Sequence, residues 1–525
     1  MRHVFYIISL ATAIILLFGI VFISPTIWYI VPVFLLLFLV GCYDAWLSTD
    51  NILRNYPVVG HFRYLLLNVR PQIRQYFVED SEDGKPYNWE RRRIVYERAA
   101  KALDTQPFGT QLDVLESGYS YAHHSLSPKI VPESEARTVV GNAQCKQPYS
   151  ASRLNISGMS FGAISPNAIR ALNRGAKTGN FAHNTGEGGL SKYHLEYGGD
   201  IIWQLGTAYF GCRTHDGAFD ADRFRQQASK DVVKMIEIKL SQGAKPSHGG
   251  ILPGVKVTSE IAEARGLPLG KDAISPPTHS EFSTPLELMT FITKLRDLSE
   301  GKPIGFKLCI GKYEDFMAIC KAMLETSIYP DFITVDGAEG GTGAAPLEFT
   351  NHLGTPLDEA LPFVHNCLKG IGVRQHIRVI ASGKVATGYD MVEKLALGAD
   401  MCNAARAMMF ALGCVQSLSC NTNRCPTGIA TQDHRRYQAL IVEKKYKHVA
   451  NYHEATLHSF FDLCGAMGVD DPDNLTAGMI FRRVSQRQIL NIEEIYPSIE
   501  EGQFLVGNIP AYYKPYWDNA RPDMF

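Results

Sequence analysis

The sequence predicts an α/β fold: a (β/α)8 TIM barrel preceded by an N-terminal two-helix transmembrane hairpin. Three observations predict it: two nearly uncharged apolar stretches in the first 46 residues, eight short apolar runs alternating with helical patterns between positions 152 and 411, and polar, glycine-rich motifs that close those runs. At 525 residues, 46 % hydrophobic and 20 % charged, the chain can bury a large core, which excludes disorder and a mini-protein. Its 52 basic and 53 acidic side chains leave a formal charge of -1, and no nucleic-acid partner is expected from that balance.

The apolar stretches begin at Val4 and Thr26 and meet at Ser24-Pro25, and Asp44 marks the end of the second. Each supplies the roughly 20 apolar residues that a bilayer core of about 30 Å requires. A signal peptide is the alternative, but the first run lacks a clear cleavage site and a second span follows at once. Arg2 precedes the hairpin, Arg54, Arg63 and Arg70 follow it, and the connecting loop has no basic residue. The positive-inside rule then predicts a multi-pass protein of the cytoplasmic membrane with its catalytic bulk facing the cytoplasm. The expected division is hairpin 1–48, linker 49–127, barrel 128–484 with a cysteine loop at 413–432, and tail 485–525. In the linker, HFRYLLLNVRPQIRQYF is amphipathic and ERRRIVYERAAKAL is basic. Both read as packing segments, and Arg70, Arg74 and Arg91 to Arg93 are candidates for membrane-surface contact.

The predicted barrel strands are RLNISG, NFAHNT, DIIWQL, MIEIKL, IGFKLC, DFITVD, RVIASG and DMCNAA. Helices such as PNAIRALNRGAK, RFRQQASKDVVK, PLELMTFITKLRDL, YEDFMAICKAML and YDMVEKLALG lie between several of them. A doubly wound sheet is the alternative. In a barrel the functional residues sit where strands end, and SGMSFGAIS, NTGEGG, EIKLSQGAKPSHGG, FKL, DGAEGGTGA and ASGK all fall there.

Cys414, Cys420 and Cys425 stand six and five residues apart, with a proline after the last. Such crowding suits an iron-sulfur cluster; zinc with a fourth ligand, or plain buried cysteines, are the alternatives. Three ligands without a fourth favour a trinuclear cluster. A second group suits a phosphate and a flat ring: Ser157, Met159 and Ser160 at the first strand end, Glu339 with Gly340, Gly341 and Gly343, then Gly383 and Arg406. Lys307, closing IGFKL, can stabilise negative charge on a reduced flavin ring. A third group suits an acidic substrate: Lys239, Gln242, Lys245 and Arg265 as donors, Glu187 as acceptor. Tyr193, His194, His248 and His279 are further candidates. GMSFG around Ser160 also matches a nucleophile elbow, but no Asp and His can be assigned to it. Neither a Walker loop nor a Rossmann fingerprint is present.

MSFGAIS, NTGEGG, EIKxxQGAKP, GGxLPGxKV, ISPPxH, GGTGAxP and CxxxxxCxxxxCPxGIATQ, in that order, resemble the FMN-binding catalytic domain of glutamate synthase over about 128–484, and the chain most closely resembles its short, stand-alone form. The resemblance implies FMN and a 3Fe-4S cluster, and reduction of 2-iminoglutarate, formed from 2-oxoglutarate and ammonia, to L-glutamate. It places Glu187, Lys239, Gln242 and Arg265 in the substrate site, Lys307 at the flavin, and Cys414, Cys420 and Cys425 on the cluster. It also implies an electron donor: ferredoxin, an NADPH-oxidising subunit or a membrane quinone. Two positions depart from the family pattern, Glu339 in place of Asp and Ala405-Arg406 in place of Gly-Thr. No glutamine amidotransferase domain precedes the barrel, so glutamine hydrolysis is not expected of this chain. The competing readings are a membrane-bound dehydrogenase of an amino acid or 2-hydroxy acid that reduces quinone, and a non-catalytic redox-sensing membrane protein.

Overall fold

Both apolar stretches are helical, Arg2–Phe22 and Val31–Trp46, joined by a 3-10 turn at Pro25–Ile30 whose Ser24 cap accepts a hydrogen bond from the Thr26 amide. The computed structural model describes residues 2–525, and the chain divides into two compact units, Met1–Trp89 and Glu90–Phe525. In the first unit Gly41 lets the helices close: a Cβ there would stand 2.2 Å from the Phe5 ring. Trp46 Nε1 donates to the Tyr6 hydroxyl at 2.5 Å. Both helices are long and apolar enough to cross a membrane, and their side chains are largely exposed, Ile7 at 66 % and Leu36 at 62 % among them. HFRYLLLNVRPQI lies in the helix Val59–Ile73.

The second unit is built on a closed barrel of eight parallel strands: β1 (Leu154–Ile156), β2 (His183–Asn184), β3 (Ile201–Leu205), β4 (Val233–Lys239), β5 (Ile304–Leu308), β6 (Phe332–Asp336), β7 (Arg378–Ser382) and β8 (Met401–Ala404). Seven lie within the predicted runs, and β4 begins two residues ahead of MIEIKL, at Val233. Closure comes from β8 on β1, with Cys402 opposite Leu154, which rules out the doubly wound alternative. A hairpin of Arg137–Val140 and Tyr149–Ser152 supplies Val140, Tyr149 and Ala151 to a cluster with Ala182, Ile202, Met235, Phe332, Ile380 and Met401. These side chains fill the N-terminal end of the barrel, leaving the C-terminal strand ends for the site.

Helices follow the strands largely as predicted, Pro166–Gly179, Pro285–Leu298, Tyr313–Thr326 and Gly388–Ala396 among them. RFRQQASKDVVK is shorter than expected: the helix is Ala221–Ala228, because Val233 already belongs to β4. A 25-residue helix, Val442–Ala466, packs against Pro166–Gly179. The final residues are ordered on the barrel, where Lys321 donates to the carbonyls of Trp517 and Ala520 at 2.6 and 2.8 Å.

Candidate active site at the barrel mouth

Strand alternation sends Glu237 on β4 into the barrel interior, where it is fully buried and completely paired. Its carboxylate accepts from Asn184 at 2.8 Å, Gln204 at 2.5 Å and Thr334 at 2.6 Å. Two residues on, Lys239 reaches the mouth, opposite Lys307 in the β4–β5 register. Lys307 Nζ stands 3.3 Å from Asp336 Oδ2, and that carboxylate also accepts from Ser382 Oγ at 2.7 Å and the Gly243 amide at 2.9 Å. Burial alone would lower the Lys307 ammonium, but the charges of Asp336 and Glu237 and the hydrogen bond to Asp336 outweigh it, so its pKa is raised and the cation persists.

Of the predicted substrate residues, Glu187 Oε1 pairs with Lys239 Nζ at 3.1 Å, and Lys239 donates to Gln242 Oε1 at 3.1 Å. Burial would raise the Glu187 carboxyl; the charge and hydrogen bond of Lys239, with Arg265 and Lys245, hold it below the usual carboxylate value instead. Burial lowers Lys245 and pulls Arg265 down to about 10. One mouth cavity is lined by Ser160, Glu187, Gln242, Lys245, Arg265 and Cys420, and a neighbouring one adds Lys239 and His248. The predicted substrate residues therefore converge, and one cysteine of the trio faces the same space.

Ser157 Oγ lies 3.4 Å from Ser382 Oγ, and Met159 is buried beside them in sequence. Gly341 and Gly383 allow close approach, since a Cβ there would meet the Arg406 side chain at 3.1 Å and Glu339 Oε1 at 2.9 Å. Arg406 Nη2 donates to the Glu339 carbonyl at 2.8 Å. Gly340 closes the turn by donating its amide to the Gly337 carbonyl at 2.8 Å. The Glu339 carboxylate accepts from the Leu357 amide at 3.1 Å, at the start of helix Leu357–Gly370, and burial raises its pKa. A cavity lined by Glu339, Gly383, Lys384, Asp390 and Lys394 opens at this end of β7. The Arg406 guanidinium packed on Gly341, with the persistent Lys307 cation at the mouth, fits a phosphate and a flavin ring.

Cys414, Cys420 and Cys425 are free thiols whose charges influence one another. Burial pushes Cys414 up to about 12 and raises Cys420. At Cys425 burial is outweighed by hydrogen bonds from the Thr427 hydroxyl and nearby backbone amides, which lower the thiol. No three His, Cys, Asp or Glu side chains among the described residues lie close enough to hold a single metal ion. Three cysteines on one loop suit a cluster, which spreads its thiolates over separate irons, while a structural zinc takes four ligands. The loop is tied down by Lys256, 2 % exposed, whose Nζ donates to the carbonyls of Cys420 at 2.8 Å, Ala430 at 3.1 Å and Ala163 at 3.2 Å.

The remaining candidates are accounted for locally. His279 bridges the Tyr209 hydroxyl at 3.0 Å and the Lys239 carbonyl at 2.9 Å; Tyr193 donates to Glu260 at 2.6 Å; His194 accepts from the Ser191 amide at 3.1 Å. Among the described residues no His or Asp lines the cavity that Ser160 faces, which leaves the nucleophile-elbow reading without a base. Asp336, Glu237 and Lys256 were not singled out by sequence. The available signal was the position of Asp336 at the head of DGAEGG, where it closes the strand Phe332–Asp336.

Fold and mouth define a closed (β/α)8 barrel whose charged candidate site lies at the C-terminal strand ends. The conserved region in glutamate synthase matches residues 109–470, and the chain belongs to the glutamate synthase family. The glutamate synthase large subunit-like protein YerD of Bacillus subtilis is 35 % identical over 485 residues, 85 % of this chain and 92 % of that protein. The archaeal-type glutamate synthase (NADPH) of Thermotoga neapolitana is 34 % identical over 320 residues, 61 % of this chain and 60 % of that one. The archaeal glutamate synthase (NADPH) of Methanocaldococcus jannaschii is 33 % identical over 359 residues, 68 % and 66 % respectively. The chain thus spans less than two thirds of the length of these two relatives.

Proposed function

We propose that the protein is an FMN- and 3Fe-4S-dependent enzyme of the cytoplasmic membrane that reduces 2-iminoglutarate, formed from 2-oxoglutarate and ammonia, to L-glutamate, without a glutaminase step of its own. The observation that carries the proposal is the single cavity in which Glu187, Gln242, Lys245 and Arg265 meet Cys420. A five-carbon diacid needs two cationic anchors, and Arg265 with Lys245 supplies them in a half-enclosed space. Glu187, ionised against Lys239, accepts the N–H of the ammonia-derived nitrogen, and the Lys239–Glu187 pair provides the proton that completes the amine. Lys307 holds positive charge where the isoalloxazine ring is expected, with Ser157, Met159, Ser160 and Gly340 along it and Glu339, Gly341, Gly383 and Arg406 toward its phosphate. FMN held there supplies hydride chemistry. Cys414, Cys420 and Cys425 would hold the cluster, which supplies single electrons. The exposed apolar helices support a membrane anchor with the barrel on the cytoplasmic side, where ferredoxin, an NADPH-oxidising subunit or quinone can reach it.

The test is an assay of detergent-purified, yellow-brown protein for glutamate formation from 2-oxoglutarate and ammonia with a chemically reduced donor. Turnover is expected, with Lys239→Ala losing at least about a hundredfold in kcat/KM. A colourless preparation, or quinone reduction by an amino or 2-hydroxy acid in place of glutamate formation, would overturn the assignment.

A further inference from the structure

Arg265 belongs to two cavities. On its inner side it lines the mouth with Glu187 and Gln242; on its outer side it lines a second cavity with Lys192, Arg213, Arg223, Glu260 and Glu263. The guanidiniums of Arg213 and Arg265 both lie over the Phe210 ring, 5.6 and 5.0 Å from its centroid. A Cβ on Gly266 would stand 4.0 Å from Arg213 Cδ, which places that side chain directly beside the end of the Arg265 helix. The Nε atoms of both arginines are buried without a hydrogen-bond partner, and Arg265 is only 4 % exposed, its Nη2 donating to the Phe161 carbonyl at 2.8 Å.

The acids nearby are engaged elsewhere. Glu260 accepts from Lys192 and Tyr193, both at 2.6 Å; Asp220 faces Arg223 at 3.5 Å; Asp216 accepts from Thr214. Glu263 is exposed. Neither Arg213 nor Arg265 has a carboxylate at salt-bridge distance among the described residues; the charge of Glu187 reaches Arg265 and that of Arg213 reaches Asp216, while both guanidiniums lie over one ring with their Nε atoms unpartnered. A guanidinium N–H without an acceptor is costly, and a planar or tetrahedral oxyanion between two such forks offers charge-assisted acceptors to the donors that face the cavity.

We propose that this outer cavity binds a small oxyanion, a carboxylate or a phosphate, between Arg213 and Arg265, and that its occupancy weakens substrate binding at the mouth. The coupling rests on the reading of Arg265 as a substrate anchor: one guanidinium serves both cavities, so whatever draws it outward withdraws it from the inner carboxylate. By linkage the effect is reciprocal.

The test uses the full-length holoprotein with inorganic phosphate and, separately, citrate, against sodium chloride at matched ionic strength, read by thermal shift and calorimetry. A saturable rise in Tm with phosphate or citrate is expected, the stronger of the two naming the ligand chemistry, and Arg213→Ala should weaken binding at least about tenfold. The same anion should raise the KM for 2-oxoglutarate with kcat unchanged, and Arg213→Ala should abolish that response while its KM without anion stays at the wild-type value. Equal binding by Arg213→Ala, or an equal response to chloride, overturns the site. Binding without any change in KM overturns the coupling. Should Arg213→Ala not fold, Arg213→Lys, which keeps the charge and removes the fork, carries the same comparison. Failure to form glutamate would refute the mouth assignment, whereas the binding measurements judge the outer site independently.

Discussion

His183, His194, His279 and His453 are each less than a tenth exposed. Burial lowers all four, His194 and His453 to about 3 and His279 to about 4. Their folded pKa values lie below the unfolded value of ~6.5, so the unfolded chain takes up protons that the fold refuses as pH falls. Above ~6.5 they contribute no pH dependence; below it each costs ~1.4 kcal/mol per pH unit until its folded pKa is reached, ~5 kcal/mol per unit for the four. Denaturation midpoints are therefore expected to drop steeply between pH 6.5 and 5. Among the described residues neither ring nitrogen of His183 has a hydrogen-bond partner, so His183→Leu loses no hydrogen bond and should remove about a quarter of that slope. An unchanged slope would refute this account. At this scale Lys239 and Lys307 carried a local signal because they close strand motifs, whereas Arg265 ends a helix, and the partners of all three carried none. Lys256 meets the Cys420 carbonyl across 164 residues and Thr334 meets Glu237 across 97, and no local spacing encodes such pairs.

Where helix Pro166–Gly179 crosses Val442–Ala466, the contact depends on Gly175. A Cβ at that position would stand 2.7 Å from Val449 Cγ1 and 3.0 Å from the Tyr446 carbonyl, part of it rigid backbone. In an exposed helix Gly→Ala gains up to ~1 kcal/mol; here the overpacking reverses the sign, and Gly175→Ala is expected to cost ~1–3 kcal/mol in chemical denaturation. A stabilised variant would show that the helices can move apart. The elements legible in sequence were those with one dominant signal. Several of the eight strands are short apolar runs ended by glycine or a charge, Ile201–Leu205 before Gly206 and Phe332–Asp336 among them, and Pro285–Leu298 opens with a Thr284–Glu287 capping box. Helix Leu357–Gly370 gave a weaker signal because Pro362 lies inside it. The short strands Ser120–Ala122 and Ile480–Ser485 pair across the chain, and their alternation is too brief to stand out.

On the scale of the molecule, the two units differ in what they expose. The barrel unit carries its own core, while the first unit exposes long apolar side chains on both of its N-terminal helices, each long and apolar enough to cross a membrane. A chain beginning at Glu90 is expected to remain in the supernatant of a high-speed spin with its helical and strand circular dichroism intact, while the full chain sediments with membranes until detergent is added. Loss of folded signal in the shortened chain would show that the first 89 residues complete the barrel and do not merely tether it.

The apolar plug formed by Val140, Tyr149 and Ala151 makes the barrel a blind-ended well. Any proton, water molecule or small reagent reaching Glu237 or the Lys307–Asp336 pair must enter from the open rim and leave by it. Once a ring lies across that rim, the charges beneath are isolated from bulk solution, and exchange with the medium runs at the pace of whatever covers them.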